Sequence, residues 1–335
     1  MAEHTFRWGV LGTGRIADQE IAPAITSLPG HELAGVVSRE HDRAAAFLKR
    51  HHSDGRACTS LEELLEKVPL DAVYVATPNA LHAEQVRAAA AAGRHVLCDK
   101  PLATTVTDAE AAMAACQDHG VRLGLMFQTR RFGGMARAKQ AVDQGELGRV
   151  VLAEVTMSAG RNLPKGWRTD PAMAGLGTIN NIGVHAFDLL RFLLADEVAE
   201  VTALVERESG IAVDTAATVL LRFRRGALAY VNANQAVPCS RDDLVLYGTD
   251  GRLLGANLTR PNRKGTLQFT AADGDGWAEE AETANGYRDT IAAFAEAVRE
   301  GRDPSPGGHD GLASVRLTAA IARSVEEGRT VQVAP

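Results

Sequence analysis

The sequence predicts an α/β protein in two parts: a doubly wound parallel sheet over residues 1–125, then an α+β domain over 126–335 with an open, mostly antiparallel sheet. Three observations carry this. Short apolar runs alternate with helical segments as far as residue 125, the pattern of a parallel sheet covered on both faces. A glycine turn, Gly12-Thr13-Gly14, joins the first run to the first helix. Beyond residue 150 the runs lengthen and tight turns link them, which is antiparallel patterning.

Phe6–Leu11 is the first strand, and Ala17–Leu28 carries apolar residues at helical spacing. Leu33–Val37 follows as a strand and Asp42–His51 as a helix. A third short strand lies near Ala57, and Ser60 with Glu63 forms a capping box at the start of the helix Ser60–Lys67. Ala72–Ala76 and His95–Cys98 are strands around an alanine-rich helix, Ala80–Ala92. The helix Thr107–His119 and the strand Arg122–Phe127 complete the first domain. Longer strands then span Val150–Met157, Val198–Glu206, Val213–Phe223, Ala227–Ala233 and Asp243–Tyr247, with hairpin-like turns at 224–226 and 249–252. Two late helices, Tyr287–Glu300 and His309–Gly328, are expected to pack back on the first domain.

Composition narrows the class of function. A chain of 335 residues supports roughly two domains. With 45% hydrophobic and 23% charged residues it is neither disordered nor fibrous. Its 36 basic and 42 acidic residues leave a net charge of −6, and the basic ones are scattered, which argues against a nucleic-acid partner. No apolar run approaches the roughly 20 residues of a membrane helix. The stretch MAEHTFRWGVLG lacks the charged and apolar regions of a secretory leader. Cys58, Cys98, Cys116 and Cys239 form no CxxC pair and read as reduced thiols. A cytoplasmic location is the expectation.

Gly12-Thr13-Gly14-Arg15-Ile16-Ala17 fits G-x-G-x-x-G/A between a strand and a helix, the Rossmann fingerprint. Gly12 permits the tight turn, Gly14 lets a pyrophosphate approach the backbone, and the helix N-terminus offers N–H groups to phosphate. The second strand ends in Ser38-Arg39, with Arg43 one turn on, where an NAD enzyme usually carries a carboxylate for the ribose hydroxyls. A hydroxyl and guanidinium groups suit a 2′-phosphate, so NADP is the expected cofactor, preferred over NAD.

Further motifs follow in order: Ala76-Thr77-Pro78-Asn79 with His82, Cys98-Asp99-Lys100-Pro101, Gly166-Trp167-Arg168, and the run from Gly175 to Asp188 that contains Asn180-Asn181-Ile182-Gly183-Val184-His185. Together they resemble the Gfo/Idh/MocA family of nicotinamide-dependent oxidoreductases, most of which act on sugars and cyclitols. The likeness runs from about residue 5 to the carboxyl terminus. It implies that Asp99-Lys100-Pro101 stands for the family's E-K-P motif, with Lys100 beside the nicotinamide and the reacting carbon. An ammonium there can stabilise developing alkoxide character. His185 matches the family's D-x-G-x-H histidine and would exchange a proton with the substrate hydroxyl.

Two departures stand out. Asn181 replaces the usual carboxylate, so no Asp–His relay is assumed. Four positions before His185, it would share a helical face with it and orient the imidazole or a substrate hydroxyl. Leu176 interrupts the usual G-G-G. The resemblance also implies that Thr77, Pro78, Asn79, His82 and Gln128 line the cofactor groove, that Trp167 and Arg168 contact cofactor or substrate, and that Asp188 holds substrate hydroxyls or caps a local network. Lys100, Asn181, His185 and Asp188 are thus the expected substrate contacts. No metal site is expected, because His51-His52 lacks companion ligands.

The expected activity is hydride transfer to or from a secondary hydroxyl or ketone of a sugar, cyclitol or related diol. The family commonly assembles homodimers or homotetramers through the open sheet of the second domain. Two rivals share these residues: a non-enzymatic dinucleotide sensor, which the retention of Lys100 and His185 opposes, and a redox-neutral glycosidase or epimerase with tightly held cofactor.

Overall fold

Six short strands build the first sheet: β1 (Phe6–Leu11), β2 (His31–Val37), β3 (Arg56–Cys58), β4 (Ala72–Val75), β5 (His95–Cys98) and β6 (Leu123–Leu125). They run parallel in the order β3-β2-β1-β4-β5-β6. Every residue of β4 is buried, as expected of a strand covered on both faces. The order reverses between β1 and β4, and at such a point a crevice opens beyond the carboxyl ends of the strands. This computed structural model describes residues 5–335. Met1–His4, where the segment read as leaderless begins, lie outside the described residues.

Helices α1 (Ala22–Ser27), α2 (His41–Arg50), α3 (Leu61–Lys67), α4 (His82–Ala91) and α5 (Val106–Asp118) connect these strands. Half of the capping box forms: Ser60 Oγ accepts from Glu63 N at 3.2 Å, while the Glu63 carboxylate accepts from Thr59 N at 3.0 Å. The expected single helix over 17–28 instead begins with a widened π-turn, Ala17–Ile21, in which the Ala22 N–H reaches the Ala17 carbonyl. Pro23 explains it. Proline has no N–H for the Gln19 carbonyl and its ring would crowd that group in a regular helix, so the turn before it opens.

The second unit comprises Phe127–Gly286 and Ala313–Pro335. Its sheet has nine strands: β7 (Val150–Ser158), β8 (Val198–Glu206), β9 (Ala216–Phe223), β10 (Leu228–Asn234), β11 (Leu244–Gly248), β12 (Gly251–Ala256), β13 (Lys264–Ala271), β14 (Gly276–Glu282) and β15 (Val331–Gln332). The order is β14-β13-β12-β11-β7-β10-β9-β8-β15, antiparallel except for β7 beside β10. Helices α6 (Met135–Asp143), α7 (Pro171–Ala174) and α8 (Val184–Leu194) accompany it. One sheet face, with Val155, Val219, Leu221, Val231 and Leu244, joins Phe187 and Leu190 of α8 in the core. α8 is buried along nearly its whole surface, its polar residues His185, Asp188 and Arg191 together with its apolar ones. On the other face, Leu204, Leu220 and Leu228 stay 73%, 53% and 41% exposed, and strand register places them on one side.

The late helices α9 (Gly286–Arg299) and α10 (Gly308–Glu327) divide between the units. The first unit holds the chain up to Met126 together with Tyr287–Leu312. There Phe294 packs on Trp8, ring centroids 5.6 Å apart, and Ile291 joins Val10, Tyr74 and Met126 in one core. Leu125 N donates to the Pro306 carbonyl at 3.1 Å. α9 therefore supplies the cover that a helix directly after β6 would otherwise give. α10 differs from the sequence expectation: from Ala313 on it belongs to the second unit, where Ser324 Oγ accepts from Ala203 N at 3.0 Å. No helix among the described residues is long and apolar enough to cross a membrane.

Candidate active site

The site residues named from sequence fall into two sets, one in each unit. In the first, Gly12 has φ +95°, and a Cβ there would lie 2.9 Å from the Ala76 carbonyl oxygen. Only glycine tolerates both. Gly12 N donates to Val37 O (3.0 Å) and Ala76 N to Leu11 O (2.9 Å), so the turn is tied to the ends of β2 and β4 at the reversal of strand order. Where a side chain of Gly14 would project, no atom lies within 4 Å, which leaves room for a pyrophosphate. Arg15 is exposed, whereas Ile16 packs against the core.

Ser38 is buried at the end of β2, with its N–H on the Cys58 carbonyl at 3.1 Å, while Arg39 and Arg43 are exposed. Arg43 comes back from α2 to place Nη2 3.5 Å from the Thr13 carbonyl, so a guanidinium stands beside the glycine turn. The glycine turn and these donors fit a nicotinamide dinucleotide.

Asp99, Lys100 and Pro101 follow β5 directly. Asp99 N donates to Val75 O (2.9 Å), and Asp99 Oδ1 accepts from Lys100 N (2.9 Å). The Lys100–Pro101 bond is cis. His82, expected to line the cofactor groove, is buried. One ring nitrogen sits 2.7 Å from the Pro101 carbonyl and the other 2.9 Å from that of Thr77. The imidazole therefore braces the Lys100 turn against the Thr77-Pro78-Asn79 loop, and Thr77 Oγ1 adds a 2.6 Å bond to Gln85 Oε1. Burial and the nearby Asp99 push the Cys98 thiol well above its usual range, so it is an inert neighbour.

In the second unit, Asn181 lies in another π-turn, Ile179–Gly183, closed by the Val184 N–H on the Ile179 carbonyl, and α8 then carries His185. Such turns often mark functional positions. Asp214 holds the start of this turn: its carboxylate accepts from Gly177 N (2.7 Å) and Ile179 N (2.8 Å), and its carbonyl from Thr178 N (2.8 Å). A Cβ on Gly177 would sit 2.1 Å from that carbonyl oxygen, so the approach requires glycine. Burial raises the Asp214 carboxyl above its ordinary value, against the lowering effect of the two N–H groups. Sequence reading placed Asp214 inside a strand starting at Val213; the strand starts at Ala216, and Asp214 serves the turn.

The Asn181 side-chain amide donates to Gln235 Oε1, just past β10. His185 is buried, edge-on to Phe127 with centroids 6.2 Å apart at 89°. Asp188, expected to hold substrate hydroxyls or to cap a local network, is buried on α8. Its carboxylate is 0% exposed and takes Arg130 Nε (2.7 Å) and Nη2 through both oxygens. Gln128 is buried in the short turn Gln128–Arg131. Trp167 and Arg168 share the turn Gly166–Thr169, with the guanidinium 4.3 Å over the indole. Asp214, Gln235 and Arg130 went unread in the sequence because no local motif marks them. Their partners lie 35 to 58 positions away.

Residues 6–127 match the family model described as the oxidoreductase family with an NAD-binding Rossmann fold, and residues 135–254 match the GFO/IDH/MocA C-terminal domain. The chain belongs to this family. Among relatives within it, the 1,5-anhydro-D-fructose reductase of Ensifer adhaerens is 33% identical, with 98% of both chains covered. The D-xylose 1-dehydrogenase (NADP(+)) 2 of Haloferax volcanii is 34% identical over 97% of this chain and 99% of that one. The aldose-aldose oxidoreductase of Caulobacter crescentus, solved with glycerol, superposes with a TM-score of 0.89 at 28% identity, covering 98% of this chain and all of that one. Family relatives are sugar and cyclitol dehydrogenases and reductases, and this chain is an oxidoreductase with a nicotinamide-dinucleotide-binding domain.

Proposed function

We propose that this protein is an NADP(H)-dependent oxidoreductase that transfers hydride to or from a secondary hydroxyl or ketone of a sugar, cyclitol or related diol. The braced Asp99-Lys100-Pro101 turn carries the reading. It sets an ammonium at the carboxyl end of β5, in the sheet whose glycine turn suits the dinucleotide. The bound nicotinamide supplies or accepts the hydride. Lys100 Nζ donates a hydrogen bond to the reacting oxygen and stabilises its negative charge, His185 exchanges the hydroxyl proton through a ring nitrogen, and Asn181 orients the substrate. Gly12, Thr13, Gly14 and the N–H groups after them hold the pyrophosphate, with Ser38, Arg39 and Arg43 at the 2′-phosphate. A nicotinamide cofactor and four free thiols suit a reducing compartment, and we place the protein in the cytoplasm.

Absorbance of the reduced nicotinamide tests this, with NADP⁺ or NAD⁺ and a panel of aldoses, inositols, uronates and dihydrodiols. Turnover on one class supports the reading. Silence despite dinucleotide binding removes it. The aldose-aldose oxidoreductase relative supports a second, redox-neutral reading in which product forms without net absorbance change and cofactor survives gel filtration.

Cofactor choice has its own test. Arg39→Ala removes an exposed guanidinium just past β2, whereas Arg43 already reaches the Thr13 carbonyl of the glycine turn. A charge-assisted bond contributes about 1.5–3 kcal/mol, so the Kd for NADPH should rise by about 10- to 100-fold. That for NADH should barely move; equal effects on both would assign Arg39 no phosphate. The open sheet face bearing Leu204, Leu220 and Leu228 is the surface through which we expect a homodimer or homotetramer. Leu220→Glu should shift the sedimentation of the native protein to the monomer, and an unchanged profile rejects this face.

A further inference from the structure

Gln235 is buried, and its main chain is held from two sides. Its N–H donates to the Thr215 carbonyl at 2.9 Å, and its own carbonyl accepts from Asn162 N at 3.0 Å. The side chain is thus aimed from a fixed point, and its Oε1 accepts from Asn181 Nδ2. The turn that carries Asn181 is also fixed, by the two N–H bonds to Asp214. Neither backbone is free to swing. The remaining freedom is rotation of the Asn181 amide, and an amide has one donor end and one acceptor end. The bond to Gln235 decides which end faces it and turns Oδ1 to the other side.

We infer that Gln235 is a positioning residue that locks the Asn181 amide with Oδ1 presented to the substrate as a hydrogen-bond acceptor. The inference rests on the oxidoreductase reading and deepens it, because it assigns the chemistry demanded at this position: a substrate hydroxyl that donates. A carboxylate at 181 would offer acceptor oxygens whichever way it turned. An amide does so only when its neighbours set its orientation, and Gln235 is one that does. The polar end of β10 therefore serves the site although it touches no reacting atom.

Four proteins test this: wild type, Gln235→Met, Asn181→Asp, and the double variant. Methionine keeps the length of the side chain and removes the acceptor. In the wild-type background Gln235→Met should lower kcat/KM about tenfold, the worth of one hydrogen bond. In the Asn181→Asp background the same change should alter kcat/KM by less than about twofold, because a carboxylate needs no orientation. A merely packing role for Gln235 predicts equal losses in both backgrounds, and that result, or no loss in either, overturns the inference. A second readout needs no substrate. Gln235→Glu should lower the thermal midpoint far more with Asn181→Asp, where two carboxylates meet, than with Asn181 intact. Additive shifts overturn the inference even if the panel yields no turnover. Failure of the oxidoreductase reading shows separately, as silence of the wild type or indifference to loss of Lys100.

Discussion

Lys100→Ala is expected to lower kcat by about 10²- to 10⁴-fold, the range for losing a group that donates to the reacting oxygen. The Kd for the dinucleotide should change little. What makes the experiment clean is the way the turn is held. Asp99 binds the main-chain N–H of residue 100, and His82 binds the carbonyl of Pro101, so neither bond depends on the lysine side chain. Removing the ammonium leaves the backbone in place. Single-turnover absorbance with saturating cofactor measures the step directly. Turnover near that of the wild type would take the hydrogen-bond-donating role from Lys100 and with it the proposed mechanism.

Asp188→Leu is expected to cost the fold about 3–5 kcal/mol, because it leaves the Arg130 guanidinium buried with its main counter-charge gone. For a unit of this size that is a fall of roughly 6–20 °C in the melting of the second unit. The coupling extends further: Arg191 lies 3.8 Å from the same carboxylate and grips Glu197 through a 2.7 Å bond, while Arg130 sits 5.1 Å over the Phe192 ring. Replacing both partners, Arg130→Met with Asp188→Leu, should recover much of the loss, since apolar groups of similar volume often substitute for a buried pair. Calorimetry of the three variants decides it. If Asp188→Leu melts like the wild type, the pair does not hold α8 in place. The double variant should also keep most of its turnover, which separates the ion pair from any contact with substrate.

The two residues differ in how readable they were. Lys100 sits in a contiguous motif at a strand end, and a parallel sheet puts such an end at the ligand crevice, so local sequence located it. Asp188 sits on the same helix as His185, but its partner lies 58 positions earlier and nothing in the intervening sequence signals the pairing. The same holds for His82: its place after Thr77-Pro78-Asn79 was legible, whereas its contact with Pro101 depends on β4 and β5 lying side by side. In the fold, strands with buried apolar faces were read closely. β14, at the sheet edge, is mostly exposed and holds glycine and glutamate, so its sequence lacks the alternation that marks a half-buried strand. β12 is short and contains two glycines, and the buried face of α6 is mostly alanine, too small to stand out.

The return of α9 to the first sheet bears on how the protein is made. Translation delivers Trp8 and Tyr74 early, yet Ile291 and Phe294 emerge only when most of the chain has been synthesised. Amino-terminal domains generally fold first on the ribosome. Here the part of the nascent amino-terminal core that Ile291 and Phe294 complete stays open through the synthesis of β7 to β14, a long interval in which chaperones or misassembly can intervene.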